Sequence, residues 1–345
     1  MKRIINKTIY SMVCLASTFF IAGCDTDIEP VDINEPGIQN QNPELYEEYL
    51  TNLRQYKTRD HKMVFGWFDN SAKTPASQGQ NILAVPDSLD FLVLKSPGEL
   101  NVRELQEMKD IKEKKGIRTL YEINFMTIKD AYDAAKEAFE ESNKEETFKP
   151  DFNTFLVDTV NAKLDLCEQY GYEGVVMTFL AKTKIYMTKD EQAAAIALEN
   201  DFLGIAKDWK ERHADKMLVL AGKPQHVEDQ SLLGLASYII IPCEDAVNAE
   251  GMIYNFSKAT VEGVPAEKFI ALVSLYSQDP NDMKTGYWGK EYAATGAARF
   301  CATEHPGFHV AGLALKDINT DYYHVNFVYP VVRKAISIIN PTVKH

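Results

Sequence analysis

The sequence predicts a single-domain (β/α)8 barrel, and three observations carry that expectation. Short apolar runs of strand type alternate with helical segments from residue 63 onward. Several runs, such as Phe91-Leu92-Val93-Leu94, are continuously apolar, as expected of strands covered on both faces of a parallel sheet. Eight strand–helix units in about 280 residues also match the size of that architecture. An open doubly wound sheet is the runner-up, but no Gly-x-Gly-x-x-Gly turn follows the first strand. No second domain boundary and no internal repeat is visible.

Taken in order, Asn42-Pro43-Glu44 opens a helix to about Lys57, with Tyr46, Leu50 and Leu53 on one side. Strands are expected at 63–68 and 88–94. A helix at 102–115 follows, stopped by Gly116, a residue suited to the left-handed position after a helix end. Its charge run, Lys109 to Lys115, is expected to be a solvated face. A third strand at 117–125 precedes helices at 128–142 and 154–170. Glu168 to Leu180 turns at Gly171 into the fourth strand, where Gly174, Val176, Thr178 and Leu180 share one face. A long helix at 189–213 is expected with Asp190 as its cap. Strands at 217–220, 237–241, 268–275 and 312–315, and a last helix at 331–339, complete the pattern.

The first residues carry a different signal. Lys2, Arg3 and Lys7 precede a mostly apolar run from Ile9 to Ile21, then Ala22-Gly23-Cys24. A basic start, a short apolar stretch and small residues before the cut describe an export signal over 1–23. The run is shorter than the ~20 residues a membrane-spanning helix needs. Cys24 after Ala-Gly resembles the bacterial lipobox, which implies a lipid-anchored N-terminus. Residues 24–43, rich in Asp, Asn, Gln and Pro, make a flexible tether, and 44–345 make the barrel. Asp25-Thr26-Asp27-Ile28-Glu29 resembles the export signal of Bacteroidetes surface lipoproteins, which implies the outer face of the outer membrane.

The chain has 345 residues, 45% of them hydrophobic and 25% charged, with a net charge of −13. That charge argues against nucleic acid and against an anionic membrane surface as ligands. Of five cysteines, Cys167, Cys243 and Cys301 stand far apart without zinc spacing and are expected as buried free thiols. His305, His309 and His324 have no metal spacing either, and no cofactor or metal is expected.

In a barrel of this kind the site lies at the C-terminal ends of the strands. Those ends supply Trp67, Asp69 and Asn70; Lys95 and Ser96; Asn124 and Phe125; Thr178 and Leu180; Lys223 and Gln225; Glu244 and Asp245; Tyr276 and Gln278; and Lys316 and Asp317. Trp288 follows on the loop after strand seven. Aromatic faces mixed with amides, hydroxyls and a few charges suit carbohydrate. Each residue also has a structural alternative: Trp67 as core, Asn70 as a turn cap, Trp288 packed beneath its own loop, and Glu122 paired with Lys316.

Val64-Phe65-Gly66-Trp67-Phe68-Asp69-Asn70, Pro86-Asp87-Ser88-Leu89-Asp90 and Tyr172-Glu173-Gly174-Val175-Val176-Met177-Thr178-Phe179-Leu180 resemble strands one, two and four of glycoside hydrolase family 18. This is the chitinase and endo-β-N-acetylglucosaminidase family, here in its Bacteroidetes lipoprotein form. The resemblance covers about residues 45–340. It implies an Asp-x-x-Asp-x-Asp-x-Glu run on strand four for substrate-assisted hydrolysis. Here Glu173 takes the first place, Val176 and Thr178 the next two, and Leu180 the place of the proton-donating Glu. Leu180 has no proton to give, and neither Val176 nor Thr178 carries a charge at neutral pH. General acid catalysis is worth roughly 10²–10⁴-fold. The strand-six Tyr is replaced by Ile241-Pro242-Cys243-Glu244, and the last-strand Trp by Leu315-Lys316-Asp317.

The expectation is therefore a non-catalytic glycan-binding surface lipoprotein that hands oligosaccharides to outer-membrane glycan uptake proteins, partners implied by the resemblance alone. One alternative is an endo-glycosidase with a relocated acid, Glu122 or Glu244. Another is a structural or protein-binding barrel.

Overall fold

A computed structural model describes residues 41–142, 148–324 and 327–341. The expected export signal, Cys24 and tether residues 24–40 lie outside them. The chain forms two compact units, Met1–Glu47 and Glu48–His345. Of the first, residues 41–47 are described and carry the start of helix α1 (Pro43–Lys57).

The second unit contains a closed barrel of eight parallel strands. They are β1 (Met63–Phe68), β2 (Phe91–Leu94), β3 (Arg118–Asn124), β4 (Gly174–Phe179), β5 (Met217–Gly222), β6 (Tyr238–Pro242), β7 (Phe269–Ser274) and β10 (Val310–Lys316). Between β7 and β10 lies a separate hairpin, β8 (Tyr287–Trp288) with β9 (Glu291–Tyr292). Closure is made by β1 and β10, with Met63 opposite Gly312. The predicted barrel is thus the observed one.

Helices cover the strands: α2 (Val102–Lys115), α3 (Phe125–Ser142), α4 (Phe152–Tyr170), α5 (Lys189–Glu199), α6 (Ile205–Arg212), α7 (Ser231–Leu235), α8 (Ala249–Ala259), α9 (Ala293–Ala302) and α10 (Pro330–Ile339). Their stops and starts are local chemistry. Gly116 and Gly171, both at φ 69°, end α2 and α4 in the left-handed conformation that glycine adopts without a Cβ penalty. Asn101 and Glu104 cap α2 reciprocally.

The helix expected at 189–213 is interrupted by a π turn, Asn200–Gly204, that separates α5 from α6. Its cap is Thr188, not Asp190. The Thr188 hydroxyl accepts the Glu191 N–H while the Glu191 carboxylate returns to the Thr188 N–H. The charge run on α2 is not wholly solvated either. The Lys115 side chain is buried and pairs with Asp87 at 2.8 Å.

Alternation along each strand divides the core in two. Outward residues pack beneath the helices, in a cluster that also holds the buried free thiols Cys167 and Cys301 of α4 and α9 and Cys243 just after β6. Inward residues, including Phe65, Trp67, Phe91, Val176 and Ile240, fill the barrel itself. The barrel is therefore a packed core with its chemistry at one rim. Among the described residues no helix is long and apolar enough to cross a membrane.

Candidate functional site

The register of β3 against β4 sets Glu122 opposite Val176 and Asn124 opposite Thr178. All four belong to the inward-facing sets. Glu122 is the focus of this layer. Its Oε1 accepts from the Thr178 hydroxyl at 2.6 Å and from the Asn124 amide at 3.3 Å. Its Oε2 accepts from the Trp67 indole N–H at 3.2 Å. The charge absent at Val176 is thus present one strand over, on the neighbour at the same level.

That carboxylate does not stand at the level of residue 180, where the resemblance implies the acid. Leu180 lies two residues beyond Thr178, about 7 Å further along at roughly 3.3 Å per residue. Glu122 reaches up only to the Thr178 hydroxyl. Because an indole N–H only donates, Oε2 is held as an acceptor. Leu180 itself is 49% exposed, so hydrocarbon faces the space above the barrel. Glu173, in the first motif position, lies just before β4 and pairs with Lys112 on α2, away from the mouth.

The remaining charges of the rim pair across strand ends. Glu244 accepts from Lys316 at 2.7 Å and from Ser274 at 3.5 Å. The partner of Lys316 is therefore Glu244, and the expected alternative of Glu122 with Lys316 is not formed. Lys95 meets Asp317 at 2.8 Å. Burial works against the Lys95 ammonium, but Asp317, with help from Asp69 and Glu122, outweighs it and raises the pKa. Partial burial likewise works against the Asp69 carboxylate; hydrogen bonds from Ser71 and the Lys95 charge prevail and lower its pKa.

Several expected sugar contacts have structural work instead. Trp67 is 2% exposed and offers no open ring face; the packed barrel interior covers it. Asn70 is buried, bonded to both the N–H and the carbonyl of Ser96 and to Glu104, so its amide is consumed joining two loops. Asn124 also accepts the Met126 N–H at the start of α3. Tyr276 and Gln278 both donate to the Thr320 carbonyl, at 3.1 and 2.8 Å, and tie the loop after β7 to the segment after β10. Burial, then the charge of Asp321, raises the Tyr276 pKa. Trp288 packs over Gly296 of α9, where an added Cβ would stand 2.2 Å from the indole.

Two cavities open beside Leu180. One, of about 390 Å³, lies over the ends of β5 and β6 and is the more polar of the two, with Lys223, Gln225, His226, Glu244, Asp245, Tyr254, Asn255 and Lys258 set among Leu180, Ile241, Pro242 and Ala259. The Gln225 carboxamide oxygen is buried beneath the cavity wall, with no partner among the described residues. Burial, reinforced by Lys223, Lys184 and Lys258, lowers the His226 pKa. The other cavity, of about 440 Å³, is apolar and bounded by Phe125, Phe152 and Phe179. Both volumes fall within the roughly 300–1,000 Å³ of small-molecule sites.

Of the expected glycan contacts, the structure places Glu244 in the polar cavity and Phe125 in the apolar one. His226, Tyr254, Asn255 and Lys258 were not expected. The last three lie on α8, which the strand–helix pattern did not include. Its signal is present in the sequence: Asn248 as cap, then Met252, Phe256 and Ala259 at helical spacing.

A model of the family described as glycoside hydrolase family 18, BT1044-like, matches residues 26–338. Among solved structures, a Glu-to-Gln variant of BT1044 is 19% identical, with a TM-score of 0.62, covering 88% of this chain and 95% of that one. The apo endo-β-N-acetylglucosaminidase of Cordyceps militaris is 15% identical, with a TM-score of 0.58, covering 85% and 96%. A mutant of that enzyme bound to fucosyl-N-acetylglucosamine-Asn is 14% identical, with a TM-score of 0.57, covering 85% and 95%. At such identities these likenesses show the fold. No curated protein matches the sequence. With the family match spanning the barrel and the rim built as described, the chain belongs to glycoside hydrolase family 18, in its BT1044-like group.

Proposed function

We propose that this chain is a non-catalytic glycan-binding protein derived from a family 18 glycosidase. The observation that carries the reading is Leu180, a half-exposed hydrocarbon at the proton donor's place. Below it Thr178 spends its hydroxyl on Glu122. Glycosidic cleavage needs a proton delivered to the leaving oxygen. At this level of the rim nothing on β4 delivers one. Binding has support of its own in the polar cavity, with its mixture of cations, acids and Tyr254.

The ligand class follows from the family: glycans containing N-acetylglucosamine, such as N-glycan cores or chito-oligosaccharides. The chain would sit on the outer face of the outer membrane through lipidated Cys24. There it would capture oligosaccharides for outer-membrane glycan uptake proteins. Binding by calorimetry and release of reducing ends, measured on the same glycan panel, test the reading. We expect heat of binding without product.

The second reading, a hydrolase with a relocated acid, is favoured by the presence of Glu122 at the barrel centre. It predicts product that disappears in Glu122→Gln or Glu244→Gln. Neither heat nor product across the panel would instead favour a structural or protein-binding barrel.

A further inference from the structure

We propose that the ligand is an amphipathic glycoconjugate. Its sugar occupies the polar cavity, its apolar aglycone occupies the neighbouring apolar cavity, and Leu180 is the wall common to both. The inference rests on the glycan-binding reading and specifies its ligand.

Leu180 lines both cavities. A second element joins them. Lys184, on the apolar side, donates to the carbonyl of His226, on the polar side, at 2.9 Å. The two spaces are therefore neighbours across one shared wall rather than separate surface dimples.

The apolar cavity is made for hydrocarbon. Phe125 meets Phe179 edge-on at 5.2 Å, and both rings pack on Phe202 at 5.6 and 5.7 Å, so its floor is a fixed aromatic cluster. Met126, Met187 and Leu198 extend it. Of the three lysines on its border, Lys182 is exposed to solvent and the other two are neutralised. Lys129 pairs with Asp133 at 2.6 Å, and Lys184 pairs with Glu199 at 3.2 Å and Glu228 at 3.4 Å. The loop after β4 continues the apolar surface outward through Ile185, 81% exposed, and Tyr186, 91% exposed.

A sugar alone does not fit this arrangement. Its hydroxyls would lose water in the apolar cavity without finding partners, at a cost of about 1–3 kcal/mol each. A lipid chain alone leaves Asp245, Asn255, Lys258 and the other polar groups of the first cavity unanswered. Leu180 now has a physical rationale as well. A carboxyl at that position would set a charge against the apolar cavity, whereas Leu lets an aglycone pass beside the sugar.

The test uses the full chain and a series of N-acetyl-β-glucosaminides with methyl, butyl, hexyl and octyl aglycones, each below its micelle concentration, titrated by calorimetry. The expected result is a gain of about fourfold in affinity per methylene until the cavity is filled. In Ala195→Trp, which fills the apolar cavity, the dependence on chain length should vanish. Met187→Lys should do the same should the tryptophan variant not fold. If wild-type affinity is independent of chain length, this inference fails while glycan binding stands. If octyl sulfate binds as tightly as the octyl glycoside, the cavity takes any amphiphile and the inference fails. If neither the glycosides nor the oligosaccharide panel binds, the glycan reading itself fails.

Discussion

At the N-terminal end of the barrel, Phe65 stacks on Phe91 at 4.3 Å, Tyr238 meets both rings edge-on, and Arg118 lies over Phe91 at 4.1 Å. Asp90 accepts the Val64 N–H at 2.8 Å and His61 at 2.9 Å. Lys57 donates to the carbonyls of Asp87 and Leu89; burial lowers its pKa to about 8, against the pull of Asp90 and Asp87. At the C-terminal end, charges also pair, but Glu244, Lys316, Lys95 and Asp317 keep about a quarter or more of their side chains exposed. Leu180 is half exposed. One end spends its polar groups on the chain itself. The other also ties Asn70, Tyr276 and Gln278 into its loops, but keeps its charge pairs partly open to a ligand, as barrels generally do.

The comparison is broken most forcefully at the aromatic residues. Phe65→Ala and Trp67→Ala should each destabilise the fold by about 3–5 kcal/mol, since both are fully packed in the barrel. Chemical denaturation measures this. A Trp67→Ala protein of near-normal stability that loses glycan binding would move Trp67 back to the ligand. Next is Glu122→Leu, which leaves the Trp67 N–H without its acceptor and should cost about 1–3 kcal/mol. Glu122→Gln, which keeps an acceptor oxygen, should cost less. Equal costs would mean the three hydrogen bonds carry no weight.

A smaller effect is expected from pH at the closed end. The hydrogen bond to Asp90 outweighs burial and raises the His61 pKa above 6.5. A raised histidine pKa contributes stability that is fully present below its ordinary value and is lost as pH rises through the raised one. Thermal melts across that window should therefore show stability falling with rising pH, and His61→Gln should flatten the curve. The smallest effect on stability belongs to the open end. Glu244→Gln loses a partly exposed ion pair worth about 1 kcal/mol or less. It should nevertheless weaken glycan binding several-fold in calorimetry. The contrast between Phe65 and Glu244, stability without binding and binding without stability, is the sharpest form of the comparison.

Much of the scaffold was legible because its signals are local. The strand at 63–68, the helix at 102–115 and the stops at Gly116 and Gly171 need only neighbouring residues. The cap at Thr188 was legible too, since Thr188-x-x-Glu191 is a capping-box spacing, but Asp190 competed for the role. Helix α9 was not. Most of Ala293–Ala302 is buried, and only Arg299 and Ala302 are left to mark a solvent side. The hairpin β8–β9 has two residues per strand, too few for alternation to register.

By itself, the sequence determined the barrel, the buried thiols and the hydrocarbon at 180, because each follows from residue type and short-range pattern. Only the tertiary structure decided that Glu122 gathers Trp67 and Thr178, that Lys316 answers Glu244, and that Leu180 divides a polar cavity from an apolar one. The three side-chain pairs are 55, 56 and 72 residues apart, and closure of the barrel sets their register. Side-chain alternation fixes which face a residue takes, but not which residue on the next strand it meets.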